Sequence, residues 1–241
     1  MDTRSGSTTT PSPAQRVDAV RQAIAQACGA GGRATNEVTL IAVSKTRSAD
    51  EIRNLAGFGL QHFAENYLQE ARSKQQALAD VPLVWHFIGP IQSNKTRDLA
   101  AHFDWVHSVD RLKVARRLAE QRPAQLPPLN VCLQVNIDDE ASKSGASLAE
   151  IPALATAVAA LPRLRLRGLM AIPDPQQADR GAAAFQRLAM TLQQLAPTIP
   201  GLDTLSMGMS DDFDLAIAAG ATHIRVGTAL FGPRPAKDIS E

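Results

Sequence analysis

The sequence has few cysteines and almost no net charge, and both shortages exclude classes of protein. Its two cysteines, Cys28 and Cys132, lie far apart and form no CxxC pair. They offer no disulfide framework and no zinc-ligand set, so we expect two small buried side chains in a reducing compartment. Lys and Arg number 25 against 24 Asp and Glu, a formal net charge of +1. Lys74, Arg116 and Arg117 are scattered along predicted helices and are expected on exposed faces. We therefore expect no nucleic-acid partner.

Long apolar runs and the common catalytic motifs are also missing. No uninterrupted apolar segment approaches the ~20 residues of a membrane-spanning helix, so we expect no membrane association and a cytoplasmic protein. The motifs GxGxxG, GxxxxGK[ST], HExxH and GxSxG are absent. Dinucleotide, P-loop, zinc-protease and serine-hydrolase chemistries therefore have no support. The five histidines, at 62, 86, 102, 107 and 223, show no metal-ligand spacing, and we expect no metal site.

The amino-terminal composition differs from that of the rest of the chain. Residues 1–13 are rich in Ser, Thr and Pro and contain no apolar segment of the kind found in signal peptides. This composition predicts a disordered tail at 1–13. The remaining residues, 14–241, are enough for one large core, and no linker or internal repeat divides them. We expect a single domain there.

Apolar strand-like segments alternate with helical patterns along this domain. A helix is predicted at 14–30, and Asp110 is the expected N-cap of the helix that follows the fourth strand. Strict β-α alternation predicts an α/β fold with a parallel sheet, and eight units favour a single (β/α)8 TIM barrel with an extra N-terminal helix. A doubly wound open sheet is the alternative, although a glycine-rich nucleotide turn usually follows its first strand. The eight strands are predicted at 38–43, 61–64, 83–88, 105–107, 130–136, 164–170, 203–206 and 223–226.

The first strand ends abruptly in a lysine. Six apolar or β-branched residues at 38–43 are followed by Ser44, Lys45 and Thr46. Because function in such barrels lies at the carboxyl ends of the strands, Lys45 is placed where a ligand would bind. A lysine at the mouth of a dry core is partly desolvated, which frees its amine as a nucleophile toward carbonyls. A lysine that merely extends from the core to water explains this stretch alone more simply.

Two glycine-containing loops after the seventh and eighth strands favour a phosphate site. The segment 206–210 (SMGMS) supplies hydroxyls and a glycine, and 225–228 (RVGT) supplies a guanidinium, a glycine and a hydroxyl. Barrels of this type often bind phosphate at these two loops. The acidic pair at 211–212 would repel a phosphate, so we interpret it as helix-starting. We expect the phosphate mainly on the amides of the second loop, with Ser206 and Gly208. Taken singly, each motif is also explained by a glycine turn and an N-cap.

Motifs at the strand ends together resemble those of the pyridoxal phosphate homeostasis protein family, which looks like the N-terminal barrel of alanine racemase standing alone. The matches follow the family's order and cover nearly the whole chain beyond the tail. One departure is Ala64, where the family more often has glycine. The matching segments are 41–45 (IAVSK), 63–70 (FAENYLQE), 86–95 (HFIGPIQSNK), 107–110 (HSVD), 134–136 (QVN), 142–145 (SKSG), 168–173 (GLMAIP), 206–212 (SMGMSDD) and 225–232 (RVGTALFG).

The resemblance implies a complete cofactor site. Lys45 would form a Schiff base with pyridoxal 5′-phosphate (PLP), and Arg225 would face the pyridine nitrogen. The phosphate would be held by a set from the last two loops, and the ring pocket would be lined from three strands. The phosphate set is Ser206, Gly208, Gly227 and Thr228, and the pocket set is Asn66, His86 and Met207.

The resemblance also implies a carrier of PLP without catalytic turnover. A cation at the ring nitrogen disfavours its protonation and weakens carbanion chemistry. Racemisation needs a second acid/base group, which in alanine racemase is a tyrosine from the partner subunit's extra domain, whereas this chain has one tyrosine, Tyr67. We therefore expect a monomer that serves PLP homeostasis and supplies PLP-dependent apo-enzymes. A low-activity amino-acid racemase and a cofactor-free aldolase with a Schiff-base lysine remain as alternatives.

Overall fold

The chain folds into a closed barrel of parallel strands. The structure, a computed structural model, describes residues 11–138, 144–173 and 178–233. Its eight strands pair in sequence order, and pairing of the first with the last closes the barrel. The predicted (β/α)8 TIM barrel is confirmed, and the open-sheet alternative is wrong. The strands are β1 (Thr39–Val43), β2 (His62–Glu65), β3 (Val84–Phe87), β4 (Trp105–Val109), β5 (Leu129–Gln134), β6 (Leu164–Met170), β7 (Thr204–Ser206) and β8 (His223–Val226).

Helices cover the outside of the barrel. The last of them is only four residues long, and the extra N-terminal helix packs against it and against the helix before β8. None of the described helices combines the length and apolarity needed to cross a bilayer. The helices are α1 (Pro13–Ala30), α2 (Ala49–Gly57), α3 (Leu68–Ala77), α4 (Thr96–His102), α5 (Leu112–Gln121), α6 (Ile151–Ala159), α7 (Ala178–Leu195), α8 (Phe213–Ala218) and α9 (Thr228–Phe231).

Helix α1 begins one residue before its predicted start. The Gln15 amide donates to the Ser12 hydroxyl at 3.3 Å, and the Ser12 amide donates to the Gln15 side chain at 2.8 Å. This capping box satisfies two amides that the helix cannot pair, and Pro13 suits the first turn. The end of the predicted tail therefore belongs to the helix cap. The rest of the tail, 1–10, lies outside the described residues, as does 234–241.

The predicted N-cap of α5 is wrong. Arg111 occupies the N-cap position, and the carboxylate of Asp110 pairs with the Arg111 guanidinium at 2.7 Å. Strand β4 continues to Val109, two residues beyond its predicted end, because a register shift after Val106 lets it stay paired with β5. The longer strand leaves Asp110 in the connecting turn.

Strands β6 and β7 approach each other closely at a glycine. Gly168 pairs with Thr204, and a Cβ added to Gly168 would lie 1.8 Å from the Thr204 carbonyl oxygen. Only a residue without a side chain permits this spacing. Gly181 in α7 is the opposite case, because nothing lies within 4 Å of a Cβ added there.

We predict that Gly168→Ala lowers the free energy of unfolding by about 3 kcal/mol or more, since a backbone carbonyl cannot move without displacing a strand. The matched control, Gly181→Ala, should raise it by roughly 0.5–1 kcal/mol because alanine favours a helix. Urea unfolding followed by circular dichroism measures both. Equal midpoints for the two variants would contradict the close approach of β6 and β7.

Candidate functional site

Three of the loops that carry predicted site residues meet at the carboxyl end of the barrel. Strand β1, which leads to Lys45, pairs with β8, and Ile41 lies opposite Arg225. A Cβ added to Gly227 would lie 3.5 Å from the Val43 carbonyl oxygen, so the loop after β8 passes beside the end of β1. The Arg225 amide also donates to the Gly208 carbonyl oxygen at 3.0 Å, which joins the loops after β7 and β8. Three of the predicted loops therefore share one rim.

Lys45 sits between two peptide groups that α3 holds in place. The Lys74 ammonium donates to the Ser44 carbonyl oxygen at 2.7 Å, and the Thr46 amide donates to a Glu70 carboxylate oxygen at 2.6 Å. Thr46 has a φ of 65°, a left-handed conformation that costs a non-glycine residue about 1 kcal/mol. Within the described chain, the Lys45 ammonium itself has no hydrogen-bond or ion-pair partner. Its backbone is held on both sides, while its side chain is left without a partner in the described chain.

The support beneath Lys45 is a buried ion network. Glu65 accepts hydrogen bonds from the Ser44 hydroxyl at 2.6 Å and from Lys74 at 2.7 Å, and Lys74 also contacts Glu70 at 2.6 Å. Burial raises the pKa of Glu65, and Lys74 and Ser44 oppose the rise. Lys74 is only 6% exposed, so its predicted position on an exposed face is wrong. The sequence did signal the Glu70–Lys74 ion pair, because a spacing of four residues places the two side chains one helical turn apart.

Arg225 is a buried cation bound to neutral acceptors. Its guanidinium donates to the Ser206 hydroxyl at 2.8 Å and to the Ala171 carbonyl oxygen at 2.9 Å, and the residue is 3% exposed. Among the described residues, no carboxylate hydrogen-bonds to it, although the field of Asp212 favours its charge. Burial lowers the pKa of Arg225 to about 10, so it stays charged at neutral pH. A buried cation without a bonded anion favours an anionic or lone-pair ligand beside it.

The loop after β7 requires its glycine. Gly208 has a φ of 91°, and a Cβ there would lie 2.6 Å from the Cβ of Ala216. The Met209 amide donates to the Asp212 carboxylate at 2.6 Å, and Asp212 is the N-cap residue of α8. The prediction that the acidic pair starts the helix is therefore confirmed for Asp212, which closes the loop on itself. Burial raises the pKa of Asp212, with the Met209 amide opposing the rise.

The remaining predicted residues differ in depth. Thr228 is exposed and Gly227 is half-buried, and their contact with a phosphate stays a prediction. Met207 is fully buried. Asn66 follows β2, and its side-chain oxygen is buried without a hydrogen-bond partner in the described chain. An orphaned acceptor of this kind is available to a ligand donor. The Ser206 hydroxyl points into the barrel, so its contact with a phosphate stays a prediction.

Four of the five histidines gather inside the barrel. His62, His86, His107 and His223 come from β2, β3, β4 and β8, and the ring centres of His86 and His107 are 5.1 Å apart. His86, predicted in the ring pocket, lies fully buried in this interior cluster, and its contact with a cofactor stays a prediction. In the ranges 11–138, 144–173 and 178–233, no group of His, Cys, Asp or Glu side chains could hold a metal ion. Sequence spacing missed the cluster because barrel closure, not local sequence, brings these strands together.

Burial keeps these histidines neutral. It lowers the pKa of His62, takes those of His86 and His107 well below their usual range, and lowers that of His223 to about 4. In an unfolded chain, each would titrate near the ordinary value of about 6.5. The folded chain therefore binds fewer protons than the unfolded chain below that pH.

We predict that the free energy of unfolding falls as the pH drops from about 6.5 to 5. Protons bind the unfolded state first, so each such histidine costs roughly 1.4 kcal/mol per pH unit until its folded pKa is reached. Above about pH 6.5, both states are neutral and the contribution is fully present. Urea unfolding at half-unit pH steps measures how the free energy of unfolding changes with pH. His223→Gln should reduce this slope by the contribution of one bound proton. A profile that stays flat down to pH 5 would contradict neutral buried histidines.

We also predict that Lys74→Met lowers the free energy of unfolding by about 3–5 kcal/mol, because it leaves the Glu65 carboxylate buried without its cation. Adding Glu65→Met to Lys74→Met should recover most of this loss, since the uncompensated charge is removed. A double-variant cycle in urea measures the coupling. Additive effects of the two substitutions would argue against the buried pair.

A family model and two relatives match most of this chain. Residues 17–235 match the family model described as alanine racemase, N-terminal domain. The pyridoxal phosphate homeostasis protein of Pseudomonas aeruginosa is 61% identical over 223 residues, which are 92% of this chain and 95% of that protein. The protein of the same name from Escherichia coli K12 is 53% identical over 219 residues, 89% of this chain and 94% of its own length.

Solved structures show the same barrel. PipY of Synechococcus elongatus with PLP bound is 38% identical and aligns with a TM-score of 0.79 over 92% of this chain and 100% of that one. Alanine racemase of Corynebacterium glutamicum aligns at 17% identity with a TM-score of 0.62, over 94% of this chain but 63% of that one. This second likeness shows a shared fold alone.

Proposed function

This chain belongs to the pyridoxal phosphate homeostasis protein family, and on that premise we propose that it binds PLP as a Schiff base on Lys45 and serves PLP homeostasis as a carrier. The observation that carries the proposal is the position of Lys45, two residues beyond the strand that pairs with the one bearing the buried cation Arg225, with an ammonium that has no partner among the described residues. The relatives are named for PLP homeostasis, and the PipY structure contains PLP.

The residues at the rim fit this cofactor. When bound, PLP supplies an aldehyde that condenses reversibly with a primary amine, and the phosphate anchors it. Lys45 supplies the amine on a fixed backbone. Gly208 and Gly227 let backbone amides approach an anion, and the exposed Thr228 adds a hydroxyl. The buried orphan oxygen of Asn66 provides an acceptor at the same rim.

The arrangement favours holding the cofactor over turning over a substrate. Arg225 stays cationic and would oppose protonation of a ring nitrogen beside it, which weakens the ring as an electron sink. Racemisation also needs a second acid/base group in a site closed to water. The one tyrosine, Tyr67, follows Asn66 directly but is 60% exposed. Its position beside Asn66 is the observation that favours the alternative of a low-activity PLP-dependent racemase.

A reversible Schiff base suits storage and transfer. The bound aldehyde is masked from other amines, yet hydrolysis returns it intact. We propose that the protein works as a monomer in the cytoplasm and passes PLP to PLP-dependent apo-enzymes. The PLP-binding domain would be 14–241, as predicted, with Ser12 and Pro13 added by the helix cap.

We predict that native protein is yellow with bound PLP, and that borohydride reduction followed by peptide mass mapping places the phosphopyridoxyl group on Lys45. Lys45→Ala should lose the covalent adduct and keep the fold. The matched control, Lys113→Ala on the exposed face of α5, should keep both. An adduct that persists on another lysine in Lys45→Ala would refute the assignment.

The same preparation separates the alternatives. A colourless native protein that stays unmodified after incubation with PLP would move the cofactor-free aldolase to the front. Loaded protein that interconverts D- and L-alanine, with Tyr67→Phe abolishing the activity, would favour the racemase. Loaded protein without this activity supports the carrier.

A further inference from the structure

A continuous line of hydrogen bonds crosses the barrel interior behind the proposed PLP site. We name His62, His86 and His107 the histidine file. His62 Nδ1 lies 2.9 Å from His86 Nε2, and His86 Nδ1 lies 2.8 Å from His107 Nε2. His107 Nδ1 lies 2.8 Å from the Ser206 hydroxyl, which accepts from Arg225 at 2.8 Å. Four successive bonds therefore connect Arg225 at the rim to His62.

The arginine end gives this line a direction. A guanidinium only donates, so the Ser206 oxygen accepts from Arg225. The hydroxyl hydrogen of Ser206 is buried and needs an acceptor of its own. Within the described part of the chain, the acceptor in reach is His107 Nδ1. Ser206 therefore donates to His107, and the proton of the neutral His107 ring is on Nε2.

The direction then passes from ring to ring. A neutral imidazole carries one N–H and one acceptor nitrogen. His107 Nε2 donates to His86 Nδ1, which leaves the His86 proton on Nε2 to donate to His62 Nδ1. In the opposite direction, His107 would donate to Ser206, and the Ser206 hydrogen would be buried without an acceptor. Such an orphan is costly, so one direction is favoured.

The far end of the histidine file reaches the other end of the barrel. His62 is the first residue of β2 and is half-buried. It lines a cavity of about 490 Å³ together with Arg21, Thr35, Thr39 and Gln61. The file thus spans the interior from the rim to a cavity where water can reach its last ring.

We propose that His107, His86 and His62 are positioning residues for the PLP site, acting through the Ser206 hydroxyl to hold the Arg225 guanidinium. The Ser206 oxygen accepts from Arg225 because the Ser206 hydroxyl donates its hydrogen bond to His107. His86 and His62 keep His107 in the tautomer whose Nδ1 can accept that hydrogen bond. The role toward PLP rests on the proposed function. The direction of the file does not, since it follows from the protein's own groups.

The first test reads the direction directly, without cofactor. Long-range ¹H–¹⁵N NMR spectra of the full labelled chain report which ring nitrogen carries the proton. We expect the Nε2–H tautomer for His107 and His86. In Ser206→Ala, both rings should shift toward a mixture of tautomers, although His86 does not contact Ser206. His102→Gln, outside the file, should change neither ring. An Nδ1–H tautomer at native His107 or His86 would overturn the proposal.

The second test separates positioning from packing. His107→Asn keeps an acceptor near the Nδ1 position for Ser206, whereas His107→Leu fills the core but offers none. Equilibrium binding of PLP, measured by visible absorbance, should weaken about tenfold in the leucine variant and within about threefold in the asparagine variant. If His107 only filled space, the leucine variant would bind PLP as tightly as the asparagine variant or more tightly. That order of affinities would overturn the proposal.

The two tests fail independently. A native chain that does not bind PLP would overturn the proposed function, while the NMR tautomers would still decide whether the histidine file is ordered. A chain that binds PLP with equal affinity in both His107 variants would overturn the positioning role alone. Thermal unfolding of each variant checks that it is folded at the binding temperature.

Discussion

Pairing of β1 with β8 is the constraint on which the rest of this structure depends. It closes the barrel and sets Ile41 opposite Arg225, so that Lys45 from the start of the chain and the loop after β8 share a rim. Without closure, the lysine and the arginine would lie on opposite edges of an open sheet. The shared position of Lys45 and the loop after β8 follows from this pairing.

The barrel buries several ionisable side chains, and hydrogen bonds compensate for the loss of their contacts with water. Lys74 pairs with Glu65 beneath Lys45 and donates to the Ser44 carbonyl oxygen, while Glu70 accepts from the Thr46 amide, so the backbone is held on both sides of Lys45. Arg225 is held by neutral acceptors, so its charge remains available at the rim. The histidines stay uncharged because desolvation penalises their cationic form. Arg225, by contrast, stays charged at neutral pH.

Local sequence patterns predicted the elements well and their ends less well. The segments of β6 and β8 match their predicted bounds, because apolar runs between turn residues are a strong strand signal. The predicted N-cap of α5 was wrong because β4 shifts its register against β5 and continues further, which leaves Asp110 outside the capping position. The predicted exposure of Lys74 was wrong because helix periodicity cannot show that a charged side chain meets a buried partner on a strand.

The sequence by itself predicted the fold class and placed Lys45 and the two glycine loops at strand ends, because these depend on periodicity and on where the apolar strands stop. The Schiff-base role of Lys45 came from the family resemblance and stays a prediction. The sequence also carried the family resemblance that the relatives confirm. Only the tertiary structure decided that Glu65 is paired with Lys74, that the Ser206 hydroxyl faces inward, and that three histidines from separate strands form a line. These contacts join residues far apart in the chain, and they exist only because the closed barrel places inward side chains of neighbouring strands within hydrogen-bond distance.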